Sequence, residues 1–291
     1  MTTVDVPLDR RAALMNGVGV ILLASILFGV MAVFVRVAVL SMPSSQVAFV
    51  RFTGSLLVLL LLGRGRALRP QPGNLRRVVQ RGMLGAGAII LYYRGIQGAG
   101  AALATLLNCT YPVFTALFAT TLMGERFDAH VGASLVVSMV GVVIVLNPSA
   151  ALTPAATWGG MSALGAAVFA GGAVATARQL RSSESALLIT TYFMAVGAAL
   201  TAPALLMGVP ALSSGLLVVL AGVVLTSVAG QVLLHQGLGF APATQGSLAA
   251  AISVVTAAVL EAVWLGNQIS GTTLLGAAFM IGAVALAASR R

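Results

Sequence analysis

The chain has 291 residues, of which 59% are apolar and 8% charged; its sixteen basic residues are all arginine and outnumber six acidic ones, leaving a net charge of +10. So few charges exclude a soluble globular domain, which carries roughly 25%, and a mean hydropathy of +1.05 requires hydrocarbon as the solvent for most of the surface. The arginines lie between apolar stretches rather than on one soluble face, which excludes a nucleic-acid partner, and a single cysteine, Cys109, excludes an internal disulfide.

A membrane-crossing helix needs about 20 mostly apolar residues. Ten such spans are predicted, at 15–40, 44–62, 78–97, 101–122, 129–147, 157–179, 184–206, 212–236, 243–264 and 270–289. The first is longer than the apolar core of a signal peptide and nine others follow it, so it is expected to remain in the protein. After the break Pro43-Ser44-Ser45, the second span carries Arg51 about two turns in. Arg51 is read as snorkelling or ion-paired, with Glu261 as the available carboxylate; holding a solute carboxylate is the alternative. The stretch RGRALRPQPGNLRRVVQR, residues 64–81, holds six arginines and reads as a cytoplasmic loop facing anionic headgroups. The third span opens on small residues, Gly82-Met83-Leu84-Gly85-Ala86-Gly87, that let helices approach closely, and closes at Gly98-Ala99-Gly100.

In the fourth span Thr105, Asn108 and Tyr111 recur at three-residue steps and share one helix face. Pro112 cannot donate a hydrogen bond, which frees the carbonyl of Asn108 four residues earlier. A freed carbonyl beside an amide suits a solute amino group; the plainer reading is a kink satisfied by a neighbouring helix. Gly124-Glu125-Arg126 ends that span, with Glu125 structural. Asn147-Pro148-Ser149, Arg181-Ser182-Ser183 and Val209-Pro210 separate the next spans. The eighth span places Ser227, Gln231 and His235 four apart, again on one face, with His235 equally suited to packing. Past Ala241-Pro242, the ninth carries Glu261, the single carboxylate predicted within a span, before Gly266-Asn267-Gln268. Phe28, Tyr92, Tyr93, Tyr111 and Phe114 are candidates for stacking on a ring, and Trp158 and Trp264 for interfacial anchoring.

The loops test this count, because cytoplasmic segments collect arginine. Numbered from a cytoplasmic N-terminus, the inside segments hold Arg10, Arg11, the six-arginine loop, Arg126, Arg178, Arg181, Arg290 and Arg291; the outside loops hold no basic residue. Both termini are therefore expected in the cytoplasm. Shifting the sequence by 142 residues superposes Gly17 on Gly159, Gly29 on Gly171, Gly73 on Gly215, Gly95 on Gly237, Gly124 on Gly266 and Arg36 on Arg178. This predicts two five-helix repeats, 15–150 and 157–291, in a single membrane domain spanning 1–291. Because five is odd, the second is inverted, an arrangement suited to alternating access.

The segments YYRGIQGAGAALATLLNCTYPVFTALFATTLMGERF (92–127) and LLHQGLGFAPATQGSLAAAISVVTAAVLEAVWLGNQ (233–268), with Gly124-Glu125 and Pro112, resemble the drug/metabolite transporter superfamily, EamA family, over essentially the whole chain. Within it the sequence looks most similar to bacterial aromatic amino acid exporters. The resemblance implies an all-α, multi-pass carrier of the bacterial inner membrane with a central cavity. One departure is Val254, where the family often has a second proline matching Pro112.

The expected function is export of small amphipathic metabolites, aromatic or other apolar amino acids first. The substrate-binding candidates are Phe28, Tyr93, Thr105, Asn108, Tyr111, Ser227, Gln231 and His235. The alternatives are a multidrug or other metabolite exporter, for which Glu261 would have to meet a cationic drug, and a non-transporting scaffold. No Gly-rich phosphate loop with a lysine, HExxH motif or His/Cys cluster occurs. No enzyme activity, cofactor or metal is therefore expected; the partners are a small solute and membrane lipids.

Overall fold

In a computed structural model, which describes residues 7–63, 68–123, 129–146, 153–208, 213–240, 243–266 and 271–288, the chain is all-helical. The helices are α1 Pro7–Ala38, α2 Ser44–Leu62, α3 Leu75–Ala99, α4 Ala101–Asn108, α5 Tyr111–Met123, α6 Ala129–Leu146, α7 Pro154–Leu180, α8 Ala186–Thr201, α9 Ser214–Gly237, α10 Ala243–Leu265 and α11 Gly271–Ala288. Six segments are long and apolar enough to cross a membrane, and shorter apolar helices lie within α6, α10 and α11. The chain is a multi-pass membrane protein. Glu125, Arg126, Pro148, Pro210, Pro242 and Arg290 fall outside the described residues.

Local chemistry sets the helix ends. Thr153, Ser185 and Ser213 each accept a hydrogen bond from the backbone N–H three residues on, capping α7, α8 and α9. Gly100 alone separates α3 from α4, at φ +86°, a conformation that suits glycine. The predicted fourth span is broken in two, at Cys109-Thr110, because Pro112 cannot donate to the Asn108 carbonyl. Its counterpart α10, with Val254 in place of a proline, runs unbroken. The chain after α8 tightens into a 3-10 turn, Ala202–Met207, with Pro203 at its start.

The bundle is inside-out compared with a soluble protein. Leu23, Leu57, Leu61, Val136, Leu217 and Val218 are exposed, while Arg51, Arg81, Ser227 and His235 are buried. Hydroxyls in this interior are satisfied locally: Ser25, Thr105, Thr190 and Thr201 each donate to the carbonyl four residues earlier.

Packing is interleaved. α1 lies against α9 and α10, and α7 against α3, α4 and α5; α3 meets α8, and α2 meets α9; α2 meets α8, and α6 meets α11. Exchanging each helix for the one 142 residues away maps these pairings onto themselves. The glycines show the same relation at atomic scale. A methyl on Gly95 would lie 3.0 Å from Ala163 Cβ and 3.1 Å from the Gly159 carbonyl. One on Gly237 would meet Ile21 and lie 3.0 Å from the Gly17 carbonyl. Gly29 faces Thr256, and Gly171 faces Phe114. The same offset relates both members of every pair, so glycine recurs at 142 residues where two helices cross too closely for a side chain.

Candidate functional site

Where α1, α2, α3, α4, α5, α7, α8, α9 and α10 converge, a cavity of about 130 Å³ opens between the helices. Its lining mixes apolar residues, Phe28, Met31, Ile89, Tyr111 and Leu234, with the polar Arg51, Arg81, Asn108 and Gln231. Asn108 is there because α4 ends on it. Its Oδ1 is buried without a hydrogen-bond partner among the described residues, as is Oε1 of Gln231.

The two arginines arrive on antiparallel helices. Arg51 follows the buried face of α2 set by Val47, Ala48, Phe52 and Ser55, and Arg81 that of α3 set by Val78, Gly82 and Gly85. They are 0% and 4% exposed. Gly85 makes room for the second: a methyl there would overlap Arg81 Nη1 and lie 2.7 Å from the Phe193 ring. The guanidinium carbons sit 5.7 Å (Arg51) and 4.4 Å (Arg81) from the centroid of that ring, so the two cations are at most about 10 Å apart. Arg51 also lies 5.1 Å from the Phe52 ring and 5.6 Å from that of Tyr93, within cation–π range.

Helix α9 holds both cations with one polar column. Arg51 Nε donates to Ser227 Oγ at 2.7 Å. Two turns on, Arg81 Nη2 lies 3.2 Å from His235 Nε2, and His235 Nδ1 lies 2.8 Å from Thr190 Oγ1. Because the guanidinium only donates, Nε2 accepts and Nδ1 carries the ring proton. The Thr190 hydroxyl in turn donates a hydrogen bond to the Ala186 carbonyl at 2.8 Å. Between these anchors, Gln231 faces the cavity. Nη1 and Nη2 of Arg51, and Nε and Nη1 of Arg81, have no hydrogen-bond partner among the described residues.

Of the residues singled out from sequence, Phe28, Thr105, Asn108, Tyr111 and Gln231 line the cavity. Thr105 is already satisfied, taking the Tyr92 hydroxyl at 2.6 Å and donating to the Ala101 carbonyl. Ser227 and His235 stand behind the arginines. Tyr93 is fully buried next to Arg51, its hydroxyl without a hydrogen-bond partner among the described residues. Two expectations are corrected. Arg51 neither snorkels nor pairs with Glu261, because its helix face turns it into the core. Arg81 is not a loop residue: α3 begins at Leu75, and Arg81 lies inside the bundle. Its spacing from Val78 and Gly85 was the sequence signal available.

Glu261 belongs to a separate cluster at one end of the bundle. Its carboxylate accepts from the N–H groups of Ala101 (3.0 Å) and Ala102, capping α4, and lies 3.9 Å from Arg36 Nε. Arg36 also donates to the carbonyls of Ile96 and Gln97, at 3.3 and 3.2 Å. At the corresponding corner of the second half, Arg181 donates to the His235 carbonyl at 3.0 Å and to that of Glu184.

The EamA-like transporter family matches the chain twice, at residues 15–147 and 157–289. The pseudopaline exporter CntI of Pseudomonas aeruginosa is 32% identical over 194 residues, 65% of this chain and 66% of that protein. An uncharacterized transporter of Archaeoglobus fulgidus is 28% identical over 93% of this chain and 96% of its own. Human solute carrier family 35 member G1 is 25% identical over 66% of this chain and 56% of its own. A solved crystal structure shares the fold at a TM-score of 0.67 and 20% identity, covering 95% of this chain and 96% of that one.

Proposed function

The chain belongs to the EamA-like transporter family and is a membrane transporter, and from that premise we propose that it exports small amphipathic metabolites, aromatic or other apolar amino acids first. It does so by alternating access of two inverted five-helix repeats across a bacterial inner membrane. The observation that carries the cargo is the cavity's mixed lining of aromatic and polar side chains. Phe28 and Tyr111 offer a wall on which a ring can stack. The unpartnered oxygens of Asn108 and Gln231 offer acceptors for an amino group. Lipid cannot satisfy such atoms, so polar groups inside a bundle mark a solute path.

Reading α4 and α5 as one span gives ten crossings, with both termini cytoplasmic and the arginine-rich segments inside. Export as the direction is supported by the Pseudomonas relative, itself named an exporter. A cationic drug is a poorer fit, since Glu261 is engaged by α4 and Arg36 rather than lining the cavity.

Uptake of labelled tryptophan and phenylalanine into liposomes containing the purified protein, with lysine as the hydrophilic control, tests this. Aromatic uptake above lysine, lost in Gln231→Ala and in Asn108→Ala, is expected. Equal uptake of all three, or none, removes the cargo assignment. Repeating the assay with a pH gradient reports proton coupling.

A further inference from the structure

We propose that Arg51 and Arg81 form a carboxylate subsite in this cavity, so that the solute carries at least one carboxylate and a simple cation is excluded. This rests on the carrier reading for its role in transport, and it narrows the substrate class.

Counting charge and donors leads to it. An arginine buried within a membrane bundle is expensive and is normally paired. Here two lie side by side and no carboxylate bonds either of them among the described residues. The carboxylates whose surroundings are described are engaged elsewhere: Glu184 with the Gln71 N–H and Asn74, Glu261 with α4 and Arg36. Among the described residues, no acidic side chain lines the cavity.

The geometry is that of a prepared site. Ser227 takes Nε of Arg51 and leaves the terminal pair, Nη1 and Nη2, buried and without a hydrogen-bond partner among the described residues. That end matches a carboxylate bidentately. His235 fixes Arg81 through Nη2 and leaves Nε and Nη1 unengaged. The Phe193 ring packs against both cations, and Gly85 keeps the space into which Arg81 extends. A purely structural pair would spend its donors on the protein; these four nitrogens do not.

With the carboxylate on the arginines, a solute amino group can reach the amide oxygens of Asn108 and Gln231 while a ring lies against Phe28 and Tyr111. The amino group is optional, because only neutral acceptors meet it. The carboxylate is required.

Binding to the full chain in detergent, followed by calorimetry, tests this with three compounds on one skeleton: phenylpropanoate, its neutral amide phenylpropanamide, and the cation phenethylamine. Phenylpropanoate should bind about tenfold or more tightly than the amide, as expected for hydrogen bonds to a charged group, with the cation weakest. The acid-to-amide ratio should fall to near one in Arg51→Gln and in Arg81→Gln, and partly survive in Arg51→Lys, which keeps the charge but loses the fork. Equal affinity for acid and amide in the unaltered chain overturns the proposal. So does a lack of binding by phenylpropanoate, phenylalanine and glutamate alike. Both of these readings need no variant to fold.

Liposome flux separates this proposal from the carrier reading. Acid-selective, arginine-dependent binding without flux keeps the subsite and removes the carrier. Equal flux of acid and amide, unchanged in Arg51→Gln, keeps the carrier and removes the subsite.

Discussion

Replacing Glu261 by alanine tests the end-capping cluster most directly. The change removes the acceptor for two backbone N–H groups at the start of α4 and the counter-charge of Arg36. Each buried N–H left without an acceptor costs about 1–3 kcal/mol. Arg36 is 25% exposed and 3.9 Å away, so that pair adds at most ~1 kcal/mol. Ala102 is only partly buried, so water recovers some of its share, and a net loss of roughly 3 kcal/mol is expected. At ~2–4 °C per kcal/mol for a chain of this size, the melting temperature should fall by about 6–12 °C. The intrinsic fluorescence of Trp158 and Trp264, followed on heating in detergent, reports it. Glu261→Gln keeps one acceptor oxygen but turns an amide NH2 toward the other N–H, so roughly half the loss is expected. An alanine variant melting within about 2 °C of the parent would refute the cap as a stabilising element.

Three further outcomes are expected. Gly159→Ala places a methyl 2.6 Å from the Ala99 nitrogen and 2.8 Å from the Gly98 carbonyl carbon, both backbone, so it should cost at least ~1–3 kcal/mol. Gly19→Ala, with nothing within 4 Å, should leave the melting temperature unchanged or raise it slightly, and the pair is compared by thermal melts. Gly85→Ala should displace both the end of Arg81 and the buried Phe193 ring, lowering the melting temperature and weakening phenylpropanoate binding together; calorimetry beside a melt reads both. In a Cys109→Ser background, Asn108→Cys and Gln231→Cys should react with a charged, water-soluble thiol reagent and be protected by solute, as mass spectrometry of the intact chain would show; protection without solute would argue for a scaffold.

Much of the fold is legible in the sequence because lipid leaves few options: apolar length marks helices, and loop chemistry marks their ends. Pro112 marks a kink within the span expected at 101–122, and the structure makes of it a full break between α4 and α5. The 142-residue spacing of glycines is legible because a close crossing tolerates no other side chain. The arginines were misread for a physical reason. Their charge suggests a loop or a snorkelling helix end, and what contradicts it is tertiary: Ser227 is 176 residues from Arg51, and His235 is 154 from Arg81. Ser227, Gln231 and His235 share one face of their helix, but a face does not reveal whether its partner is a solute or an arginine.

The distance between those partners also fixes an order of events. The ribosome delivers Arg51 and Arg81 to the membrane long before it has made Phe193, Ser227 and His235. For that interval the two guanidiniums lack the ring and the polar column that hold them in the finished bundle. The same wait applies to Gly29, whose facing residue is Thr256. The first half therefore cannot complete its interior alone during synthesis, and its second and third helices must settle into their final positions only after α9 has been inserted.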